Sequence, residues 1–352
     1  MKVKSSKRVP NSFSHNPKSA IQNRKLAALV ALAFAFVLGG AVAQAQQAGK
    51  IFRIGYLDAG TASGMATVLL NPFRQELGKL GWNEGKNITI EYRFSDGKPE
   101  RLPELAVELV RQKVDLIVVT SVGSASAAKS ATTTIPIVMA AGSDPVAAGL
   151  VASLARPGGN ITGLSGLASE LNTKRLEILK DAVPKLIRVG LLRQPGVSRG
   201  RDLQLKELRA AASALKLKLE EIDTQLDPKG LESAFKTAKQ KQVGAIMTLA
   251  NRRFEDDRKR IVELALKYRL PAIYPQKEFV EAGGLMSYGT DLGDLYRRAA
   301  VYVDKILKDA KPADLPVQQA TKFEFVINLK VAKQIGLTLS PEFLSRANQV
   351  IK

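Results

Sequence analysis

From Phe52 onward, short apolar runs alternate with amphipathic stretches of roughly 12–18 residues, the βαβα pattern of a parallel sheet covered by helices. The runs are Phe52–Leu57, Ile88–Tyr92, Asp115–Thr120, Ile135–Ala140, Arg188–Leu192, Lys218–Ile222, Ala245–Leu249 and Ala272–Tyr274. Between them the apolar period is helical. Phe73, Leu77 and Leu80 line one face, Leu102, Leu105, Leu109 and Val110 a second, and Ile261, Leu264 and Ala265 a third. These stripes are core positions, not cofactor contacts.

The units fall into two sets. A turn cluster, Arg156-Pro157-Gly158-Gly159-Asn160-Ile161-Thr162-Gly163, leads from the first set into a short extended run. A second crossing is expected at Gly283–Gly289 and a third between Pro312 and Phe325, where Pro-rich chain enters the strand-like KFEFVINL. The expected partition is a first lobe of residues 51–163 plus about 288–312 and a second of about 164–287 plus about 318–352. Two lobes joined by several crossings make a hinge around a cleft.

Upstream of this pattern, residues 1–25 carry seven Lys and Arg and no acid, followed by the apolar stretch Leu26–Ala43 and the small-residue ends Ala41-Val42-Ala43 and Ala43-Gln44-Ala45. That is the layout of a cleavable secretory signal over residues 1–45. The competing reading is an uncleaved anchor, since about 18 apolar residues just span a bilayer. Gly39-Gly40 and the A-x-A ends favour cleavage, and no Cys follows to take a lipid. The expectation is a soluble periplasmic protein.

Composition narrows the chemistry. The chain has no Cys, and its single His, His15, lies in the leader. The exported part therefore lacks imidazole and thiol, which removes His-dependent triads, Cys nucleophiles and the usual zinc and haem sites. No Gly-x-Gly-x-x-Gly or Walker-type loop follows a strand, so no cofactor and no metal are expected. The 53 basic and 33 acidic side chains give +20, and removing the seven leader bases leaves +13. The bases are scattered along helical stretches with few interleaved aromatics and no helix-turn-helix or zinc-finger pattern, so nucleic acid is not an expected partner. The cluster Glu255-Asp256-Asp257 sits at an apparent helix start, where acids complement the helix dipole. A binding protein fits this inventory better than an enzyme.

Several long segments resemble the ABC-transporter substrate-binding proteins related to the tryptophan and tyrosine transport group. They are Phe73-Arg74-Gln75-Glu76-Leu77 with Leu80-Gly81-Trp82, Ser143-Asp144-Pro145-Val146 with Gly149-Leu150-Val151, Leu154–Gly163, Arg269–Tyr274 and Glu278–Gly289. The resemblance runs from about Arg53 to the C-terminus. It implies a type I periplasmic binding fold: two Rossmann-like α/β lobes with parallel sheets, a three-strand hinge, and a small solute held between them. The implied role is a periplasmic receptor, a monomer that closes on an amino-acid-like solute, aromatic ones included, and delivers it to an inner-membrane ABC permease. A sensor feeding a membrane kinase or chemoreceptor would present the same cleft. A hydrolase independent of His and Cys is the alternative from another class.

In open α/β sheets, ligands sit beyond the carboxyl ends of the strands, and those ends supply the candidate contacts. The first is the Gly/Ser/Thr-rich loop holding Asp58, Thr61 and Ser63. The next is Ser121 and Ser124, between an apolar run and an Ala-rich helix, where hydroxyls and helix-start N–H groups suit a carboxylate or simply cap the helix. Ser143 and Asp144 end the following strand, and Asp144 either receives a ligand ammonium or initiates the Asp-Pro turn. In the second lobe, Gln194, Asn251, Tyr274, Tyr288 and Asp291 fall at strand ends, the tyrosines serving solute stacking or hinge packing. Two segments depart from the family pattern: Arg193-Gln194-Pro195-Gly196 replaces an Asn-Pro pair, and Asn251-Arg252-Arg253-Phe254 replaces an apolar, Pro-containing turn. Arginines there either favour an anionic solute or face solvent at a helix start.

Overall fold

The computed structural model describes residues 50–352 apart from Gly64 and residues 195–198; the expected leader and the Pro195-Gly196 pair lie outside the described residues. The eight apolar runs all become strands. In chain order the first lobe contains β1 (Phe52–Asp58), α1 (Met65–Lys79), β2 (Ile88–Phe94), α2 (Leu102–Arg111), β3 (Leu116–Val119), α3 (Val122–Ala131), β4 (Ile137–Met139) and β5 (Ile161–Ser165). The second continues with α4 (Ala168–Ala182), β6 (Arg188–Arg193), α5 (Arg199–Ala214), β7 (Lys218–Asp223), α6 (Pro228–Gln240) and β8 (Ala245–Thr248). Then come α7 (Arg252–Asp256), α8 (Arg258–Lys267), β9 (Ala272–Tyr274), α9 (Lys277–Glu281) and β10 (Met286–Thr290). The chain returns with α10 (Leu292–Leu307) and β11 (Gln318–Gln319), and ends with β12 (Phe323–Asn328), α11 (Leu329–Ile335), α12 (Pro341–Ser345) and β13 (Gln349–Ile351).

One sheet has the order β11-β5-β4-β3-β1-β2, with every pairing parallel. The other runs β13-β12-β10-β9-β8-β6-β7, and only β10 with β12 is antiparallel. Each sheet is covered on both faces, so β3 and β8 are buried at all four positions. In the first lobe, α1 and α10 cover one face and α2 and α3 the other. In the second, α4 and α5 cover one face, and α6 and α8 the opposite one. Each fully buried Leu or Ile in these layers contributes roughly 1.5–3 kcal/mol.

Three passages join the lobes: β5 to α4, β10 to α10, and β11 to β12. Their ends differ from the expected partition by a few residues. Strand β5 runs to Ser165, β10 stays in the second sheet as far as Thr290, and Gln318–Gln319 pair with β5 of the first. Gly- and Pro-rich crossings carry no hydrophobic period, so the pairing partner alone decides where each strand stops. Gly163 is required at one passage. It has φ +125°, and a Cβ there would lie 2.6 Å from the backbone nitrogen of Met139.

Candidate functional site

Strand β1 delivers Asp58 at its carboxyl end, and the residue is fully buried. The Gly60 N–H donates to Asp58 Oδ1 at 2.7 Å, closing a tight turn after the strand, and the Tyr56 hydroxyl lies 3.3 Å from Oδ2. From the second lobe, Asn251 caps α7 by accepting the Arg253 N–H at 2.9 Å, which starts that short helix immediately beyond β8. The cap points Arg252 across to the first lobe. Its Nε donates to Asp58 Oδ1 at 3.1 Å and its Nη2 to Oδ2 at 2.8 Å, the bidentate fork of a strong charge-assisted pair. Nη2 also donates to the Tyr296 hydroxyl at 3.1 Å, while Nη1 reaches back to Glu255 Oε2 at 2.8 Å. Gln276 Nε2 donates to the other Glu255 oxygen at 2.9 Å.

Small residues admit this crossing. A Cβ on Gly60 would lie 2.6 Å from Arg252 Cγ, and one on Gly97 3.1 Å from Arg253 Nε, so each arginine lies over a glycine of the first lobe. Beside them, the N–H and hydroxyl of Thr61 both donate to Asp256 Oδ2, at 3.1 and 3.3 Å. Burial pushes the Asp58 carboxyl up, but the charge and hydrogen bonds of Arg252, with the Gly60 N–H, outweigh it and hold the group below its ordinary range. Burial works against the Arg252 charge too, and Asp58 more than compensates. For Glu255 burial wins, and its carboxyl is raised despite Arg252.

The other expected contacts divide. Gln194 and Asn251 meet each other, with Asn251 Nδ2 donating to Gln194 Oε1 at 3.0 Å. Ser121 and Ser124 form a reciprocal cap on α3: the Ser121 and Thr120 N–H groups donate to Ser124 Oγ at 3.0 and 3.1 Å, and the Ser124 N–H to Ser121 Oγ at 3.2 Å. Asp144 accepts the N–H groups of Val146 and Ala147, and Asp291 that of Asp294 at the start of α10. The backbone carbonyl of Ser143 accepts from the Ser165 hydroxyl at 3.2 Å, and Ser63 is exposed. Tyr288 packs edge-on against Phe325 in the second lobe's core. Tyr274 is fully buried, stacked on Phe279 at 4.6 Å among the side chains of α6 and α8. Alternation along the short strand β9 turns its ring into the lobe's interior, a reason that strand-end position alone does not reveal.

Residues 68–351 match the family described as ABC transporter substrate binding protein. The chain belongs to that family. A tyrosine-binding protein of Clostridioides difficile (strain R20291) is 28% identical over 270 residues, 75% of this chain and 75% of its own length. Among solved structures, an ABC domain from Streptococcus pneumoniae in complex with L-Trp superposes with a TM-score of 0.77 at 27% identity, covering 86% of this chain and 100% of that one. The ligand-free, open structure of a substrate-binding protein with adhesive properties from Clostridium difficile gives 0.62 at 25% identity, over 86% and 99%. The fold of this substrate-binding protein is the two-lobed type I periplasmic binding architecture.

Arg252, expected either to attract an anionic solute or to face solvent at a helix start, instead pairs with carboxylates of the protein itself. Two carboxylates of the protein balance it, and its side chain is only 10% exposed. Glu255, expected to complement a helix dipole, is buried against Arg252 three residues earlier, a spacing visible in the sequence. The sequence does not single out Tyr56, Tyr296 or Gln276, since nothing in their neighbourhoods separates a site residue from core packing.

Proposed function

We propose that this substrate-binding protein is an exported receptor that closes its two lobes on a small, amino-acid-like solute and hands it to an inner-membrane ABC permease, without chemical change to the solute. The observation that carries the reading is the meeting of strand ends from both lobes, with Asp58 and Thr61 on one side facing Arg252 and Asp256 on the other. Solutes bind at this place in open α/β sheets. The first lobe with α10 and the second with the C-terminal segment act as the two moving bodies. Contacts to the solute come from Asp58, Thr61, Ser121, Gln194 and Asn251 at the strand ends. Relatives that bind tyrosine and L-Trp support an amino-acid-like solute, an aromatic one included.

A thermal-shift screen of purified protein, unfolded and refolded to strip carried-over ligand, tests this. The panel holds amino acids, aromatic acids, dicarboxylates, polyamines and sugars. A solute at 100 times its dissociation constant raises stability by about 2.7 kcal/mol, a shift of a few degrees. A shift with one solute recovered chemically unchanged supports the receptor; turnover of a bound solute overturns it.

A further inference from the structure

We propose that Asp58, Tyr296 and the Gly60 turn form a receptor for a guanidinium group, and that Arg252 occupies it as the internal counterpart of a guanidino group carried by the solute. The inference rests on reading the interlobe cleft as the solute site and narrows the solute class.

The receiving half belongs wholly to the first lobe. Asp58 is fully buried and oriented by the Gly60 N–H, and Tyr296 on α10 supplies a further acceptor 3.1 Å from Nη2. The fork contacts, 3.1 Å from Nε and 2.8 Å from Nη2 to the two carboxylate oxygens, match a planar guanidinium rather than a point-charge ammonium. The occupying half comes from the other lobe, so opening the lobes withdraws it. Arg252 also holds a second carboxylate, Glu255, in its own lobe at 2.8 Å, which Gln276 orients. Released from Asp58, Arg252 stays paired with Glu255, and an incoming guanidinium pairs with Asp58. The exchange therefore strands no buried charge, whose cost otherwise blocks such a swap.

The test compares purified wild type with Arg252→Ala and Arg252→Met, and with Asp58→Asn in both backgrounds. Circular dichroism confirms the fold. Methylguanidine, agmatine and L-arginine are the probes, putrescine and methylammonium the point-charge controls, and L-tyrosine and L-tryptophan the aromatic ones. Affinity comes from titration calorimetry and lobe closure from the radius of gyration in solution scattering. Expected are a larger radius for Arg252→Ala, at least tenfold tighter binding of a guanidino probe than by wild type, return to the wild-type radius with that probe, and loss of the gain in Asp58→Asn. No gain for any guanidino probe in either folded Arg252 variant overturns the inference, and so does an equal gain for putrescine. Aromatic amino acids binding wild type and variants alike, without that gain, overturn it while leaving the receptor function standing. Turnover of a bound solute is the separate result that removes the receptor function itself.

Discussion

Arg175, only 2% exposed, donates from Nη1 to the backbone carbonyl of Tyr288 at 2.9 Å, tying α4 to β10 where the chain passes between the lobes. Its other partner is the Asn172 side-chain oxygen, its Nε has none, and among the described residues no carboxylate lies within ion-pair distance. Burial works against its charge.

A buried cation without a counter-ion contributes little net stability, while its stem fills space. Arg175→Met, similar in reach, is expected to match or exceed wild-type stability to within about 1 kcal/mol. Arg175→Ala, which leaves a cavity, is expected to lose about 2–4 kcal/mol. Urea denaturation of both variants checks this, and equal losses would show that the charge itself holds the fold.

Gly163 tests the backbone at the first passage. With φ +125° and the Met139 backbone against it, Gly163→Ala is expected to cost at least about 3 kcal/mol or to prevent folding. Gly159, four residues earlier, has nothing within 4 Å of a built Cβ, and Gly159→Ala should stay within about 0.5 kcal/mol of wild type. Soluble yield and thermal midpoint separate the two.

Glu278 on α9 sets a pH dependence. Burial raises its carboxyl from 4.5 to about 7, with Glu281 and Glu255 adding to the shift. Between those values the folded protein binds more protons than the unfolded chain, so stability falls as pH rises from 4.5 to 7. After solvent screening the loss is about 1–2 kcal/mol. Glu255 and Asp257 shift in the same direction, so Glu278→Gln removes part of the decline. Thermal midpoints of wild type and variant at pH 5 and 7.5 give the comparison; a variant that declines as steeply as wild type would assign the effect to the other acids.

The legible parts of this protein share a cause. Strands β3, β4 and β8 are buried throughout, so each reads as an unbroken apolar run, and the stripe Leu102, Leu105 and Leu109 reads as the helix face it is. The cap at Ser121 is legible as well, since it sits where a strand hands over to an Ala-rich helix, whereas Asn251 and Asp291, expected as solute contacts, prove in the fold to cap helices too. Tyr274 ends its strand and Tyr288 lies at the middle of β10, and their orientation depends on a pleat whose phase the short strands do not display.

Periodicity and composition are local properties, so the α/β class, the two sets of units and the absence of thiol and imidazole from residues 46–352 can be read along the chain. Tertiary structure decided where the crossings end and what Arg252 does. Asp58 stands 194 residues away from Arg252, and only folding brings them to 2.8 Å. A buried charge takes its meaning from its partner, and its partner is a property of the fold.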